Sequence, residues 1–293
     1  MDDVRPFLHA IHAKYPELAV KTAVFNQEGQ YNTVLVINDD LIFRFPRYPG
    51  GLEQLALETK ILTAVQPYLP LPVPNPTYKN FDNAPIGEAF MGYRRLPGEP
   101  LYPPAFEQVA DKTALAEQIA HFLQALHAVP IRDLVDEPIP VSDTEEEWWD
   151  IYGRIQTKLF PFMRLEACKN VAHHFESVLN DPQQYQFEPV LRHGDFGTGN
   201  LLHHAQKGHP RCGQMSGIID FGFTVLGDPA FDVAGLLTYG EPFVQEIARH
   251  YPDIAQFWPR IWFYKGTFAL FEALFGIENG DDEAFQRGLE QYV

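Results

Sequence analysis

The chain is poor in cysteine and in basic residues, and each shortage excludes classes of protein. Its 293 residues include two cysteines, Cys168 and Cys212, which are too few for a disulfide framework and wrongly arranged for a zinc site. The 22 Lys and Arg residues face 39 Asp and Glu residues, so the formal net charge is −17. That charge disfavours a polyanionic partner such as nucleic acid or an anionic membrane surface. It suits a cationic ligand or simply a solvated acidic surface.

Targeting signals and long apolar segments are also missing. The first residues, MDDVRPFLHAIHAKYPEL, do not combine a basic region with an apolar run, so they do not resemble a signal peptide. No window offers about eighteen uninterrupted apolar residues, the length that a membrane-spanning helix needs. We also find no internal repeat and no low-complexity tract. We therefore expect a soluble cytoplasmic protein that acts as a monomer.

Two segments near the N-terminus have the apolar spacing of amphipathic helices. The first covers residues 4–14, and the second covers residues 52–69. The second segment places Glu58 on the same side as Leu55 and Leu62.

Runs of β-branched and aromatic residues surround these helices. The separator Asn38-Asp39-Asp40 suits a tight hairpin, because Asn and Asp tolerate the left-handed backbone of such turns. The runs predict antiparallel strands at residues 20–25, 33–37, 41–45, 76–79 and 88–94.

The rest of the chain has mostly helical patterns. Helices are predicted at residues 115–127, 144–152 and 171–179, and Thr144 with Glu147 could form a capping box. The segment LPGEPL marks a boundary. We predict an α+β fold with a small β-rich lobe over residues 1–96 and a larger, mainly helical lobe over residues 97–293.

The segment VLRHGDFGTGNLLHH interrupts two strand-like runs with polar residues and glycines. Asp195 and Asn200 lie on this loop, and Asp220 ends the later apolar strand of GIIDFG. A hairpin would bring Asn200 and Asp220 side by side, and their oxygens are ligands that suit Mg²⁺ together with phosphate. Asp195 could orient a hydroxyl and accept its proton as that hydroxyl attacks phosphorus. Gly197 and Gly199 would let the loop turn tightly.

The joint pattern H-G-D-x-x-x-x-N, I-I-D-F-G and G-D-P-x-x-D resembles the aminoglycoside phosphotransferases, relatives of the protein kinases. The resemblance covers nearly the full chain, and the segments EGQYNTVLVINDDLIFRFPRYPGG and LPLPVPNP look most like the 2″-phosphotransferase branch. It implies a bilobal kinase-like fold. It also implies an enzyme that transfers the γ-phosphoryl group of ATP or GTP, with Mg²⁺, to a hydroxyl of an aminoglycoside antibiotic, giving resistance.

The same resemblance assigns roles to individual residues. Asp195 matches the catalytic base, and Asn200 and Asp220 match the metal ligands. His193 matches the structural histidine that steadies the catalytic loop. Glu58 matches the helix glutamate that pairs with a phosphate-binding lysine.

The chain departs from the family at that lysine. The strand LIFRFP places Arg44 there, which keeps the charge but changes the geometry. The first-hairpin loop NQEGQYN contains one glycine, Gly29, as fits the phosphotransferases better than the protein kinases. The resemblance also places a hinge segment, which binds the base of the nucleotide, at residues 93–96 at the end of the fifth predicted strand. Backbone groups of Arg94 and Leu96 would bind the base, with Tyr93 at the back of the nucleotide pocket. A bulky aromatic residue there goes with the use of GTP.

The resemblance is weakest for the acceptor. Asp228 and Asp232 match residues that support the active-site loops. Glu241, Phe268 and Glu272 are candidates for binding a cationic acceptor, although the dense acidic run of the 2″ branch is missing. Two alternatives therefore stay open. The protein could phosphorylate another alcohol, such as a macrolide, a sugar, choline or homoserine, or it could be a nucleotide-binding pseudo-enzyme.

Overall fold

The computed structural model describes residues 3–26, 32–206, 208 and 211–293. The chain forms two compact units, each built from two stretches of sequence. Unit 1 is Met1–Ile139 with Thr198–Thr224, and unit 2 is Pro140–Gly197 with Val225–Val293. The lobe boundary predicted after residue 96 stays a prediction. The loop around Gly29 lies outside the described residues.

The secondary structure follows the predicted change from strands to helices along the chain. The strands are β1 (Ala23–Asn26), β2 (Asn32–Ile37), β3 (Leu41–Pro46), β4 (Tyr78–Asn80), β5 (Phe90–Arg94), β6 (Glu99–Pro100), β7 (Val190–Arg192), β8 (Leu201–His203), β9 (Met215–Ile218) and β10 (Val225–Gly227). The helices are α1 (Arg5–Lys14), α2 (Pro49–Val65), α3 (Pro103–Phe106), α4 (Lys112–His127), α5 (Ile131–Leu134), α6 (Glu145–Lys158), α7 (Leu165–Leu179), α8 (Ala230–Leu236), α9 (Glu241–His250), α10 (Trp258–Asn279) and α11 (Asp282–Leu289). Within the described part of the chain, no helix has the length and apolar character needed to cross a membrane.

Unit 1 contains a five-stranded antiparallel sheet with the order β1-β2-β3-β5-β4. The predicted hairpin between β2 and β3 is confirmed, since Asn38 and Asp39 have φ angles of 54° and 56°. Phe43 and Phe45 on one face of β3 join a buried cluster that includes Ile11 of α1. Because strand side chains alternate, Arg44 lies on the opposite face from these phenylalanines.

Helix α2 lies on that second face of the sheet and contacts both β3 and β5. The helix begins at Pro49, three residues before the predicted start, because proline suits the first helical turn. Its side bearing Leu55, Glu58 and Leu62 is buried, as the apolar spacing predicts. Helix α2 therefore brings a buried carboxylate to the sheet face that carries Arg44.

A smaller sheet in unit 1 has the order β6-β8-β9. Strands β8 and β9 are antiparallel, with Leu201 opposite Ile218. Helix α4 supports this sheet, because Gln118 Oε1 accepts a hydrogen bond from the Met215 backbone nitrogen at 2.9 Å. This pairing fixes where the segments next to Asn200 and Asp220 run.

Unit 2 consists of the two-stranded antiparallel pair β7 and β10 and of helices α6 to α11. Thr144 caps α6 as predicted, since its Oγ1 accepts a hydrogen bond from the Glu147 nitrogen at 3.2 Å. The second half of the predicted capping box is wrong. The Glu147 carboxylate accepts from the Asp143 nitrogen at 2.6 Å and from the Ser142 hydroxyl instead. Asp143 has a left-handed backbone, which turns its N–H toward the glutamate.

Candidate active site

Arg44 forms the centre of a charged cluster in unit 1. Its Nη1 donates a hydrogen bond to Glu58 Oε1 at 2.5 Å, and its Nη2 donates to Asp220 Oδ1 at 3.2 Å. The Arg44 and Glu58 side chains are buried, whereas the Asp220 side chain is 45% exposed. The expected pairing of Arg44 with Glu58 is therefore present, and it extends to a third residue singled out from the sequence.

Burial and charge set the ionisation of this cluster. Burial by itself lowers the pKa of the Arg44 guanidinium, but the charges of Glu58 and Asp220 outweigh it and raise that pKa. Burial raises the pKa of the Glu58 carboxyl to about 7, although the charge of Arg44 opposes the shift. Arg44 therefore stays cationic, and Glu58 is the member of the pair that gains a proton as the pH falls.

The turn from Asp220 to Gly222 is held by helix α2 as well as by Arg44. Asp220 has a φ of 63°, in the left-handed region that a residue with a side chain rarely adopts. Glu58 accepts a hydrogen bond from the Phe221 backbone, and Gln54 Nε2 donates to the Gly222 carbonyl oxygen. Gln54 was not predicted as a site residue. Its one signal is its position four residues before Glu58, on the same side of the helix.

Asn200 lies next to this turn because of the ladder between β8 and β9. The Ile219 nitrogen donates a hydrogen bond to the Asn200 carbonyl oxygen at 3.0 Å, so Asn200 is paired with the residue just before Asp220. The predicted neighbourhood of Asn200 and Asp220 is confirmed. Their role as metal ligands stays a prediction.

The donors fit an ion that takes most of its ligands from phosphate and water. An amide oxygen and a carboxylate are ligands that Mg²⁺ accepts, and Mg²⁺ usually binds few protein groups. Within the described ranges, no three His, Cys, Asp or Glu side chains form a metal-binding cluster. The chemistry of Asn200 and Asp220 therefore fits Mg²⁺ bound together with a nucleotide better than a closed protein metal site.

The backbone around Asp195 is fixed within unit 2. Asp232 Oδ2 accepts a hydrogen bond from the His193 nitrogen at 2.7 Å, and Asp232 Oδ1 accepts from the Gly194 nitrogen at 2.9 Å. The buried His193 ring accepts from the Asp195 nitrogen through Nδ1 at 3.2 Å. Gly194 has a φ of 84°, which favours glycine. The loop therefore presents the exposed Asp195 on a backbone that these three hydrogen bonds hold.

Asp228 is fully buried and lies in a network of polar contacts in unit 2. It accepts hydrogen bonds from Arg260 and from the Tyr264 hydroxyl, the latter at 2.8 Å. Its own nitrogen donates to Asp143, which also pairs with Arg192 at 2.9 Å. Asp143 was not predicted as a site residue. These contacts support β7, the strand that leads directly into His193.

The predicted hinge, residues 93–96, begins within the last two residues of β5 in unit 1. Tyr93 is buried and lies opposite Ile42 in the sheet, on the same face as Arg44. Burial raises the pKa of Tyr93, and the charge of Arg44 opposes the shift. Arg94 forms an exposed ion pair with Asp40 at 2.7 Å. Binding of a base by this segment stays a prediction.

The acceptor candidates in unit 2 have partners of their own. Glu272 accepts a hydrogen bond from Arg287 at 2.6 Å, and Glu241 accepts one from Gln245 at 2.8 Å. The Lys265 ammonium lies 5.6 Å from the centre of the Phe268 ring. The surroundings of Phe268 and Glu272 therefore carry positive as well as negative charge, and their role in binding stays a prediction.

Known proteins resemble the chain over nearly its whole length. A profile of a phosphotransferase enzyme family, APH, matches residues 22–261. Viomycin phosphotransferase from Streptomyces vinaceus is 28% identical over 269 residues, which cover 90% of this chain and 91% of that protein. The GDP and kanamycin complex of APH(2″)-IIIa is 24% identical, with a TM-score of 0.88, and covers 99% of this chain and 97% of that one. Macrolide 2′-phosphotransferase type I is 21% identical, with a TM-score of 0.76, over 98% and 95% of the two chains.

These likenesses confirm the predicted α+β kinase-like fold. The profile match covers well over half of the 293 residues, and the relative from Streptomyces vinaceus aligns along nearly its full length. The chain therefore belongs to the phosphotransferase enzyme family, and the protein is a phosphotransferase.

Proposed function

We propose that the protein is a small-molecule kinase that transfers the γ-phosphoryl group of ATP or GTP to a hydroxyl of an aminoglycoside antibiotic, giving resistance. The observation that carries this proposal is the contact of Arg44 with both Glu58 and Asp220 in unit 1. A buried cation beside an exposed carboxylate suits a triphosphate that arrives with a metal ion.

Asp195 is proposed as the catalytic base. Its carboxylate is exposed, and its backbone is held by His193 and Asp232. The carboxylate would accept the proton of the acceptor hydroxyl while that oxygen bonds to the γ-phosphorus. The bond from the γ-phosphorus to the nucleoside diphosphate breaks in the same displacement.

Asn200 and Asp220 are proposed as the protein ligands of Mg²⁺. When bound, Mg²⁺ would neutralise charge on the phosphate oxygens. Arg44 would add a second positive charge to the α- and β-phosphates, and Glu58 would keep its guanidinium in place. Since Asp220 is 45% exposed while Arg44 is buried, the carboxylate is the more accessible of the two to an arriving ion.

The nucleotide base is proposed to bind the backbone of Arg94 and Leu96, with Tyr93 behind it. The buried ring of Tyr93 on the Arg44 face of the sheet supports this arrangement. A solved structure of APH(2″)-IIIa is a complex with GDP and kanamycin. We accordingly propose that the protein accepts GTP as well as ATP.

The acceptor is proposed to be an antibiotic, with an aminoglycoside as the first candidate because APH(2″)-IIIa is seen with kanamycin. A second candidate is viomycin, for which the 28% identical relative is named. The charges around the candidate residues favour testing both. Lys265 lies beside Phe268, and Arg287 pairs with Glu272, so this surface carries charges of both signs.

The experiment that tests the proposal is a panel of acceptors incubated with ATP or GTP and Mg²⁺. Kanamycin, viomycin, a macrolide, choline and homoserine are each assayed for the gain of one phosphoryl group by mass spectrometry. The control is the same panel with Asp195→Asn. Transfer to kanamycin that depends on Asp195 supports the proposal, and transfer to viomycin alone selects the second candidate. Nucleotide binding without transfer to any acceptor would instead favour a pseudo-enzyme.

A further inference from the structure

Arg44 uses two different nitrogens on two different carboxylates. Nη1 contacts Glu58 at 2.5 Å, and Nη2 contacts Asp220 at 3.2 Å. Glu58 comes from α2, whereas Asp220 follows β9, so one side chain links a helix to the turn after a distant strand. The planar guanidinium holds its nitrogens at fixed positions, so the two contacts constrain each other.

The turn that carries Asp220 needs such contacts. Asp220 has a left-handed backbone at φ 63°, a conformation that costs free energy for a residue with a side chain and persists where the surroundings hold it. The position where a Cβ would lie on Gly222 is 3.3 Å from Asp220 Oδ1 and 3.5 Å from Arg44 Nη2. The Asp220 carboxylate and the Arg44 guanidinium therefore both lie close to Gly222, and a larger residue at position 222 would crowd them.

We propose that Arg44 is a positioning residue for Asp220. Through Nη2 it fixes the Asp220 carboxylate before any nucleotide arrives, and this is the function that an arginine performs at position 44 and a lysine would not. A carboxylate held through one oxygen can still bind a cation through the other. The part of the inference that concerns Mg²⁺ rests on the proposed function, whereas the positioning of Asp220 by its hydrogen bond with Arg44 does not.

A lysine at position 44 would lose one of the two contacts. Its single nitrogen sits on a shorter side chain than the two terminal nitrogens of arginine. That nitrogen would stay with Glu58, because a buried carboxylate depends more on its partner than an exposed one does. Glu58 is 3% exposed and Asp220 is 45% exposed. The Asp220 turn would then be held by Gln54 and Glu58 without the guanidinium.

The test compares Arg44→Lys with wild type in two measurements. In the nucleotide-free protein, hydrogen–deuterium exchange of peptides covering residues 219–224 is expected to be about fivefold faster, as befits the loss of one charge-assisted hydrogen bond. In the presence of nucleotide, the Mg²⁺ concentration for half-maximal turnover is expected to rise roughly three- to tenfold.

Arg47→Lys is the matched control, since Arg47 is an exposed arginine just after β3. It should leave both measurements at the wild-type values. Exchange over residues 219–224 that is equal in Arg44→Lys and wild type would overturn the proposal. If Arg44→Lys does not fold, Asp220→Asn tests the same contact from the other side and should also speed exchange of this segment. A wild-type protein that shows no Mg²⁺-dependent nucleotide binding would contradict the proposed function. The exchange measurement would still decide whether Arg44 positions Asp220.

Discussion

Asp232 Oδ2 accepts a hydrogen bond from the backbone nitrogen of His193 at 2.7 Å, while Asp232 Oδ1 accepts one from the next backbone nitrogen, that of Gly194, at 2.9 Å. Asp232 and His193 are both fully buried. A carboxylate suits this place because it offers two acceptor oxygens and no donor. The aspartate in the first turn of α8 thereby fixes the start of the loop that carries Asp195.

Asp232→Asn should destabilise the protein and slow the reaction. An amide keeps one acceptor and turns an NH₂ group toward the other backbone N–H, which leaves a buried donor without its partner. We expect the free energy of unfolding in urea to fall by about 1–3 kcal/mol. Turnover should fall as well, because the loop loses its anchor. The exposed Asp253→Asn in the same unit serves as control, and equal stability of the two variants would contradict the assignment.

The pair between Arg44 and Glu58 was predicted from the resemblance to the aminoglycoside phosphotransferases, and the local sequence patterns agree with it. Strand alternation places Arg44 opposite Phe43 and Phe45, and helical spacing places Glu58 among apolar residues, so both point to one interior. The hairpin of β8 and β9 likewise followed from two apolar runs with a turn between them. These features agree with the local spacing of apolar residues, which can be read from a single sequence.

The sequence could not predict contacts that depend on how distant elements pack. Gln54 reaches Gly222, 168 positions away, and Arg192 reaches Asp143, 49 positions away. A glutamine on a helix and an aspartate in a loop are common surface residues, and nothing in their local pattern sets them apart. The capping box failed at Glu147 for a local reason. The Glu147 carboxylate accepts a hydrogen bond from the N–H group of the left-handed Asp143 instead of that of Thr144.

Asp195→Asn should abolish most of the activity without weakening nucleotide binding. The amide is nearly the same size but cannot accept the hydroxyl proton. We expect kcat to fall by about a hundredfold or more, the contribution of a positioned base, while the nucleotide Kd changes less than about twofold. Steady-state kinetics and calorimetry measure the two quantities. Near-normal turnover in Asp195→Asn, matching the exposed control Asp136→Asn, would refute the role of base.

Asp220→Ala should remove the Mg²⁺ dependence of nucleotide binding. The ion would lose the one charged protein ligand that we assign to it, and Asn200 alone offers a neutral oxygen. In calorimetry, wild type should bind the nucleotide more tightly with Mg²⁺ than with a chelator, whereas the variant should bind equally under both conditions. Unchanged affinity for the Mg²⁺–nucleotide complex would contradict the assignment.

Glu278→Gln should weaken the protein near neutral pH and leave it unaffected in acid. Glu278 on α10 accepts hydrogen bonds from Arg154 at 2.5 Å and from Lys158 at 2.6 Å, both on α6. The hydrogen bond from Arg154 holds the pKa of Glu278 below its ordinary value of 4.5, although burial opposes it. A carboxyl with a lowered folded-state pKa contributes stability above its unfolded-state pKa and loses it as the pH falls through the folded-state pKa.

Urea unfolding of Glu278→Gln and wild type over a pH series checks this. We expect a difference of up to about 1 kcal/mol near neutral pH, because Arg154 and Lys158 are each about 40% exposed and solvent screens the pair. The difference should shrink below about pH 4. The more exposed Glu283→Gln should show a smaller difference at every pH. A gap that grows as the pH falls would contradict the assigned direction.

Gly288→Ala should destabilise the protein, whereas Gly153→Ala should stabilise it. A Cβ on Gly288 of α11 would lie 2.4 Å from the Ala273 nitrogen and 2.5 Å from the Ala269 oxygen of α10. These are backbone atoms, so the two helices would have to separate, at a cost of about 1–3 kcal/mol. Gly153 in α6 has nothing within 4 Å of its Cβ position, and alanine there gains about 0.5–1 kcal/mol of helix propensity. Urea unfolding of both variants measures the two signs. A stabilised Gly288→Ala would mean that α10 and α11 do not approach each other as closely as these distances require.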